Sequence, residues 1–580
     1  MASIGWALLL FLAQLHKLFS TSSAHADASN LTRLAVHFLC RPGQADTLLQ
    51  LKKSFFFDDT SATRLQSWRD GTDCCLWEGV GCDASSGNVT VLDLNNRGLF
   101  SFGLDPTIFN LTSLRQLDLS MNELSFIQSD NIPATGFERL ALLSHLNLSS
   151  AGFQGQVPIG ISKLVNLLSL DISNFFDDAY FYEPSDNYYE NSNSLYESNF
   201  GTLVANLSNL KELYFDGVDL SLSGDEWWIS LATAVPNLEV LSLAGCHLSG
   251  PIHKSLARLH SLSVINLQQN DITAGPFPEF FMDFLSLTVL QLSDTNLQGW
   301  FPSKSFQSKN LRFLDLSGNH NLSGHVPNFS NASSLEILRL TGTNFSSAKP
   351  VPLSDLKLLK ELRLDGSLVS VDFLSSLGRL GSLRQLYLGF NSVSALRSIF
   401  TWIGYHHNLT SLQIRGYNFS MTTPSSLSSF KTLSRLTMYQ CNLPGPIISA
   451  IGNLIDMQTL ELIDCTSYGS IPSSFGNLTS LINLYVTGST FSGPLPAAVG
   501  NLTSLKTMEI QGRYISGTIP YTIGQLNKLR RLVLSGCNLS GSIPSSIVNL
   551  TQLTILDLSD NSLNGKSIYL LSPFLVLSYA

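Results

Sequence analysis

Apolar residues recur along most of the 580-residue chain at one spacing. Leu433, Met457, Leu481, Leu505, Leu529 and Leu553 each open a unit, and each lies 24 residues after the one before. Within a unit the pattern is L-x-x-L-x-L-x-x-(N/C/T/S)-x-(L/F), as in Leu529-x-x-Leu532-x-Leu534-x-x-Cys537-x-Leu539. Further starts fall at Leu409, Leu383, Leu359, Leu335, Leu311, Leu287, Leu262, Leu238, Leu210, Leu167, Leu143, Leu114 and Val89. Twelve of the eighteen intervals between these nineteen starts are 24, so one repeating coil accounts for the length.

The spacing predicts a short strand in every unit. Positions 4 and 6 point to one face and the residues between them to the other. A single coil cannot bury its apolar side, whereas stacked coils share a core. Nineteen parallel strands would span roughly 90 Å. The ninth residue turns the chain out of the strand, and a small polar side chain there can satisfy backbone groups of adjoining coils. It is Asn at Asn122, Asn270, Asn319, Asn391 and Asn561, and Cys at Cys246, Cys441, Cys465 and Cys537. Those four cysteines read as structural thiols.

Composition agrees with such a fold and removes other classes. Charged residues are 13%, the hydrophobic fraction is 44% and the net charge is −9. That is too apolar for a disordered chain and too acidic for a generic nucleic-acid binder. Ile4–Leu15 is a short apolar run followed by Ala24-His25-Ala26, the form of a cleaved signal over residues 1–26. Secretion implies an oxidising compartment. Residues 27–88 then form a cap over the first coil, 89–565 the repeats, and 566–580 an irregular tail. The 43-residue interval from Leu167 to Leu210 holds an insertion at 173–209, acidic and Tyr-rich and without Lys or Arg. It offers a clamp for a basic peptide, or a loop with no partner.

Cys40, Cys74, Cys75 and Cys82 precede the repeats, and four cysteines allow three connectivities. Their adjacent pair and the missing second C-x-x-C argue against a metal site. The stretch Asp73-Cys74-Cys75-Leu76-Trp77-Glu78-Gly79-Val80-Gly81-Cys82-Asp83 resembles the N-terminal cap of plant leucine-rich-repeat proteins. Gly469-Ser470-Ile471-Pro472, Gly517-Thr518-Ile519-Pro520 and Gly541-Ser542-Ile543-Pro544 resemble the plant-specific repeat. The best match is the ectodomain of plant receptor-like proteins of the disease-resistance kind. This resemblance implies an α/β leucine-rich-repeat solenoid with a concave parallel sheet, a superhelical twist and an extra short strand after each turn. It also implies the disulfides Cys40–Cys74 and Cys75–Cys82. The implied function is cell-surface recognition of a peptide or protein, with immune signalling through a co-receptor kinase. The family's C-terminal cysteine cap and membrane span do not follow Asn564, so the resemblance describes an ectodomain that is truncated relative to the family. Anchoring at the plasma membrane is then a family property that this chain does not encode. The alternative is a secreted inhibitor of microbial cell-wall-degrading enzymes such as polygalacturonase, a type with about ten repeats.

The fifth residue of each unit forms one column along the strands. Early units carry Asp93, Asp118, Asn147 and Asp171. Middle units carry Arg339, Arg363, Tyr387, Gln413, Glu461, Tyr485 and Glu509, with Tyr439 in a neighbouring column. Arg and Tyr are frequent binding anchors, so this stretch is the expected ligand face. Sequons suited to glycans are Asn30, Asn88, Asn110, Asn206, Asn321, Asn328, Asn344, Asn408, Asn477, Asn501 and Asn549. No metalloprotease, hydrolase or kinase motif occurs. Gly565-Lys566-Ser567 lacks the Gly that a phosphate loop needs, and His406-His407 reads as a surface pair. No enzyme activity, cofactor or metal is expected.

Overall fold

A computed structural model describes residues 40–56, 65–124, 132–174, 195–224, 227–272, 275–325, 329, 334–346, 353, 356–365, 377, 380–390, 408–419, 427, 430, 432–564 and 576–578. The signal segment, Asn30, Asn328, Asn391, His406-His407 and Gly565-Lys566-Ser567 lie outside the described residues. The chain divides into two compact units, Met1–Val235 and Pro236–Ala580.

In the first unit, helix Pro42–Ser54 starts on a proline and buries Leu48 and Leu51. Lys52 Nζ reaches from it to the carbonyls of Leu65 and Trp68, at 2.8 and 2.9 Å. Trp68 stacks on Trp77 at 5.6 Å. Disulfides Cys40–Cys74 and Cys75–Cys82 close this cap in the pairing that the resemblance implied. The Asp73 carboxylate sits between them and accepts from the Cys40 and Cys75 amides. Strand Val80–Cys82 pairs antiparallel with Val89–Asp93 and covers the open edge of the first coil. An uncovered parallel edge is a template for unwanted pairing, which is the physical reason for a cap. Parallel strands Gln116–Asp118, His145–Asn147, Ser169–Asp171 and Glu212–Tyr214 follow in order.

The insertion is shorter than its sequence suggests. Leu195–Tyr196 pairs with the outer strand Gly155–Gln156, and helix Phe200–Val204 buries Phe200 and Leu203. Leu195 to Asn209 therefore belongs to a coil, because it carries apolar residues that fit the shared core. Glu197 is buried there and accepts from the Asn199 amide. The rest of the acidic stretch, 175–194, lies outside the described residues.

In the second unit, strands Val240–Ser242, Val264–Asn266, Val289–Gln291, Phe313–Asp315 and Ile337–Arg339 pair parallel in sequence. Glu361–Leu364, Gln385–Gly389, Ser411–Arg415, Arg435–Tyr439 and Thr459–Ile463 continue the ladder. Asn483–Thr487, Thr507–Ile510, Arg531–Val533 and Ile555–Asp557 extend it. A further strand, Val576–Ser578, pairs with Ile555–Asp557, so the C-terminal stretch is not wholly irregular. Short parallel strands such as Gly493–Pro494, Ile515–Gly517 and Asn538–Gly541 form a second sheet after the turns. Many return segments are short 3-10 helices, for example Tyr521–Gln525 and Ser545–Asn549, whereas Gly445–Ile451 is α-helical.

The leucines of the pattern are the core: Leu529, Leu532 and Leu534 are all fully buried. The ninth-position side chains stitch adjoining coils. Asn270 Nδ2 donates to the carbonyls of Leu243, Leu267 and Gln268, and Oδ1 accepts from the amides of Cys246 and Leu248. Asn122 and Asn319 repeat the arrangement. Cys441, Cys465 and Cys537 are buried thiols whose Sγ lies 3.3–3.5 Å from a carbonyl of the preceding coil.

Candidate functional site

The parallel register places every fifth residue directly beside the next one. Asp315 faces Arg339, Arg339 faces Arg363, and Arg363 faces Tyr387. Gln413, Thr437, Glu461, Tyr485 and Glu509 continue the file. Tyr439 lies in the adjoining file, next to Arg415. The structure thus brings the predicted residues onto one face of one sheet.

Their side chains are not equally free. Arg339 is 7% exposed. Its Nε donates to Glu361 Oε1 at 2.8 Å and its Nη1 to Asp315 Oδ2 at 3.4 Å, with the Phe313 ring 5.1 Å away. Arg363 Nε donates to the same Glu361 oxygen at 2.6 Å, yet Arg363 stays half-exposed. Burial opposes the charge on Glu361, but Arg339 and Arg363 together hold its carboxyl below the usual range. Arg339 is therefore a clamp beneath the surface, and Arg363 is the exposed end of the cluster. The sequence missed Glu361 because it sits at the third position, in another file.

Next along the face, burial raises the Tyr387 hydroxyl above its ordinary value, opposed by a hydrogen bond with Arg415. The Arg415 guanidinium also lies 5.2 Å over the Tyr439 ring. Gln413 is half-buried, with Tyr387 beside it in register. Beyond them the face turns acidic. Glu461 accepts from Arg435 and Thr437, and Glu509 from Arg531. Burial, with Glu509 and Glu461 on either side, raises the Tyr485 hydroxyl. A ligand along this file would meet cations first, then aromatic rings, then carboxylates.

The first unit presents a different file: Asp93, Asp118, Asn147, Asp171 and Tyr214. Burial, with Asp216 and Asp118 nearby, pushes Asp171 up to about 7. Among the sequons, Asn110, Asn206, Asn321, Asn344, Asn408, Asn477, Asn501 and Asn549 are exposed, and Asn88 is half-buried. Several end the return segments, opposite the sheet. Cys40, Cys74 and Cys75 bring three sulfurs within 4.8 Å, a grouping that arises because two disulfides adjoin.

The chain has a leucine-rich-repeat fold: residues 41–83 match the leucine rich repeat N-terminal domain, and 237–259, 310–332, 528–550 and 552–574 match the Leucine Rich Repeat family. Its curated relatives are plant receptor-like proteins. It is 32% identical to receptor-like protein 6 of Arabidopsis thaliana over 340 residues, 54% of this chain and 31% of that protein. It is 31% identical to receptor-like protein EIX1 of Solanum lycopersicum over 310 residues, 49% of this chain and 27% of that protein. The matched stretch thus spans less than a third of either relative. Two solved ectodomains share the fold. The Arabidopsis receptor kinase GASSHO1/SCHENGEN3, in complex with CASPARIAN STRIP INTEGRITY FACTOR 2, has a TM-score of 0.55 and 26% identity, covering 89% of this chain and 59% of that one. The Arabidopsis receptor kinase HAESA, in complex with the peptide hormone IDA and the co-receptor SERK1, has a TM-score of 0.52 and 25% identity, covering 90% and 86%. Among the described residues, no helix is long and apolar enough to cross a membrane.

Proposed function

We propose that the chain is the recognition part of a plant cell-surface receptor, exported from the cell and glycosylated, that binds a peptide or protein along the file from Arg363 to Glu509. The observation that carries this is the register: Arg, Tyr, Gln and Glu side chains stand one per coil, half-exposed, on adjoining strands. Such a surface suits an extended ligand, because a row of side chains about 4.8 Å apart, one per strand, can contact a peptide in succession along its length. The receptor-like relatives support the reading, as does the ectodomain neighbour solved with a peptide hormone. We further propose immune signalling through a partner receptor kinase, a reading that the neighbour solved with the co-receptor SERK1 supports in its partner. Arg339 has the different task of holding Glu361 and thereby Arg363.

Panning a displayed random-peptide library on the purified chain tests the reading. Selected peptides should lose binding to a chain carrying Arg363→Ala and Tyr387→Ala. Peptides that bind the wild type and this variant equally would place recognition elsewhere.

A further inference from the structure

The coil that begins at Leu505 breaks the ninth-position rule. Thirteen of the nineteen coils carry Asn, Cys, Ser or Thr there, whereas this one carries Arg513, followed by Tyr514. The consequence falls on the coil before it. An Asn at the ninth position gathers two amides of the preceding coil on one oxygen. Cys246 and Leu248 both donate to Asn270 Oδ1 at 3.0 Å, and Arg97 and Leu99 donate to Asn122 Oδ1 at 3.1 and 3.0 Å. The matching donors before Arg513 are the amides of Ser489 and Phe491. A guanidinium has no acceptor, and Arg513 is turned out of the ladder and exposed. Among the described residues neither amide finds an acceptor, although Ser489 and Phe491 are 4% and 0% exposed. The amide of Gly488, an exposed residue, also has none among the described residues, whereas its counterparts at Asp464 and Gly536 donate to Thr487 and Ser559. Buried amides left this way are uncommon and costly.

The break opens a cleft of about 430 Å³, bounded by Gly488, Ser489, Gln511, Gly512, Arg513 and Tyr514. In the coils with Cys441, Cys465 and Cys537 a sulfur fills the equivalent place. Arg513 has no carboxylate partner among the described residues, and its guanidinium lies 5.9 Å from the Tyr514 ring centre. Arg339, Arg363, Arg435 and Arg531 are each tied to a carboxylate. The cleft therefore joins Ser489, two residues before Phe491, to an uncommitted cation and an aromatic wall.

We propose that this break binds a carboxylate of a peptide. One oxygen takes the place that Asn Oδ1 holds in other coils and accepts from Ser489 and Phe491, and Arg513 supplies the opposite charge. An acidic side chain and a free chain end share this chemistry. The proposal stands apart from the Arg363–Glu509 file, and either can fail without the other.

Saturation-transfer difference NMR on the whole chain tests it with three probes: N-acetyl-triglycine, its C-terminal amide, and N-acetyl-aspartate amide. A carboxylate probe should give transfer that the neutral triglycine amide does not. Preference for the aspartate probe or for the free chain end identifies the source. Arg513→Asn should weaken carboxylate binding at least about tenfold, the loss expected for one charge-assisted hydrogen bond. The same variant should raise Tm, because Asn restores the ladder, and that rise shows that the variant is folded. Arg513→Lys should retain binding. Equal transfer from the carboxylate and amide probes, or carboxylate binding undiminished in Arg513→Asn, overturns the proposal.

Discussion

Asn270 donates to three carbonyls and accepts from two amides, so five backbone groups depend on one carboxamide. Removing it strands buried polar groups, each worth about 1–3 kcal/mol when left unpaired. Asn270→Ala should therefore destabilise by at least about 2 kcal/mol in a denaturant titration. Asn270→Cys should be milder, since Cys465 fills the same role elsewhere. A second residue-scale prediction concerns pH. Asp171 has a folded pKa of about 7, above its ordinary 3.8. The native state then holds the proton more tightly than the unfolded chain, so this group's contribution to stability falls as pH rises from 3.8 to 7 and levels off above. Asp171→Asn should remove that slope and stabilise the protein more at pH 8 than at pH 5, measured by Tm. Asn can still accept from the Ser173 amide, as Asn147 does from Ser149.

At the scale of one strand and its neighbours, Leu436 is fully buried between the coils of Ser411–Arg415 and Thr459–Ile463. Leu436→Ala should cost about 2–5 kcal/mol. Contacts in stacked coils are mostly between neighbours. Hydrogen exchange should accelerate in the strands beside residue 436, while Trp68 and the cap amides keep their protection. Uniform acceleration would contradict local coupling. The ion cluster gives an element-scale prediction of a different kind. Glu361→Gln keeps a neutral acceptor but leaves the buried Arg339 guanidinium with Asp315, at 3.4 Å, as its carboxylate partner. Losing one partner of a buried pair costs about 3–5 kcal/mol, so this change should lower stability more than Arg363→Ala, whose side chain is partly solvated.

On the scale of the molecule, much of the fold was legible from the pattern alone. A 24-residue period aligns equivalent residues on adjoining strands, so the file from Arg339 through Tyr387 to Glu509 could be written down from the sequence. The accessibility of its members could not. Arg339 and Arg363 look alike at the fifth position, yet one is sealed and the other open. The difference arises from Glu361 and Phe313, which stand at third positions of adjoining coils. The insertion misled for a related reason. Composition marks 173–209 as acidic and aromatic, but Leu195, Phe200 and Leu203 are recaptured by the core.

What the sequence determined by itself is whatever depends on period and residue type. That covers the strands, the leucine core, the Asn and Cys ladder and the position of the cysteine cap, because each follows from local spacing and from the need to bury apolar area and satisfy amides. The tertiary structure decided what depends on distances between side chains of different coils. It assigned Glu361 to two arginines, sealed Arg339 while leaving Arg363 half-exposed, and opened a cleft beside Arg513. Those outcomes rest on reach and exclusion across a strand spacing of about 4.8 Å, which a one-dimensional pattern indexes but does not contain.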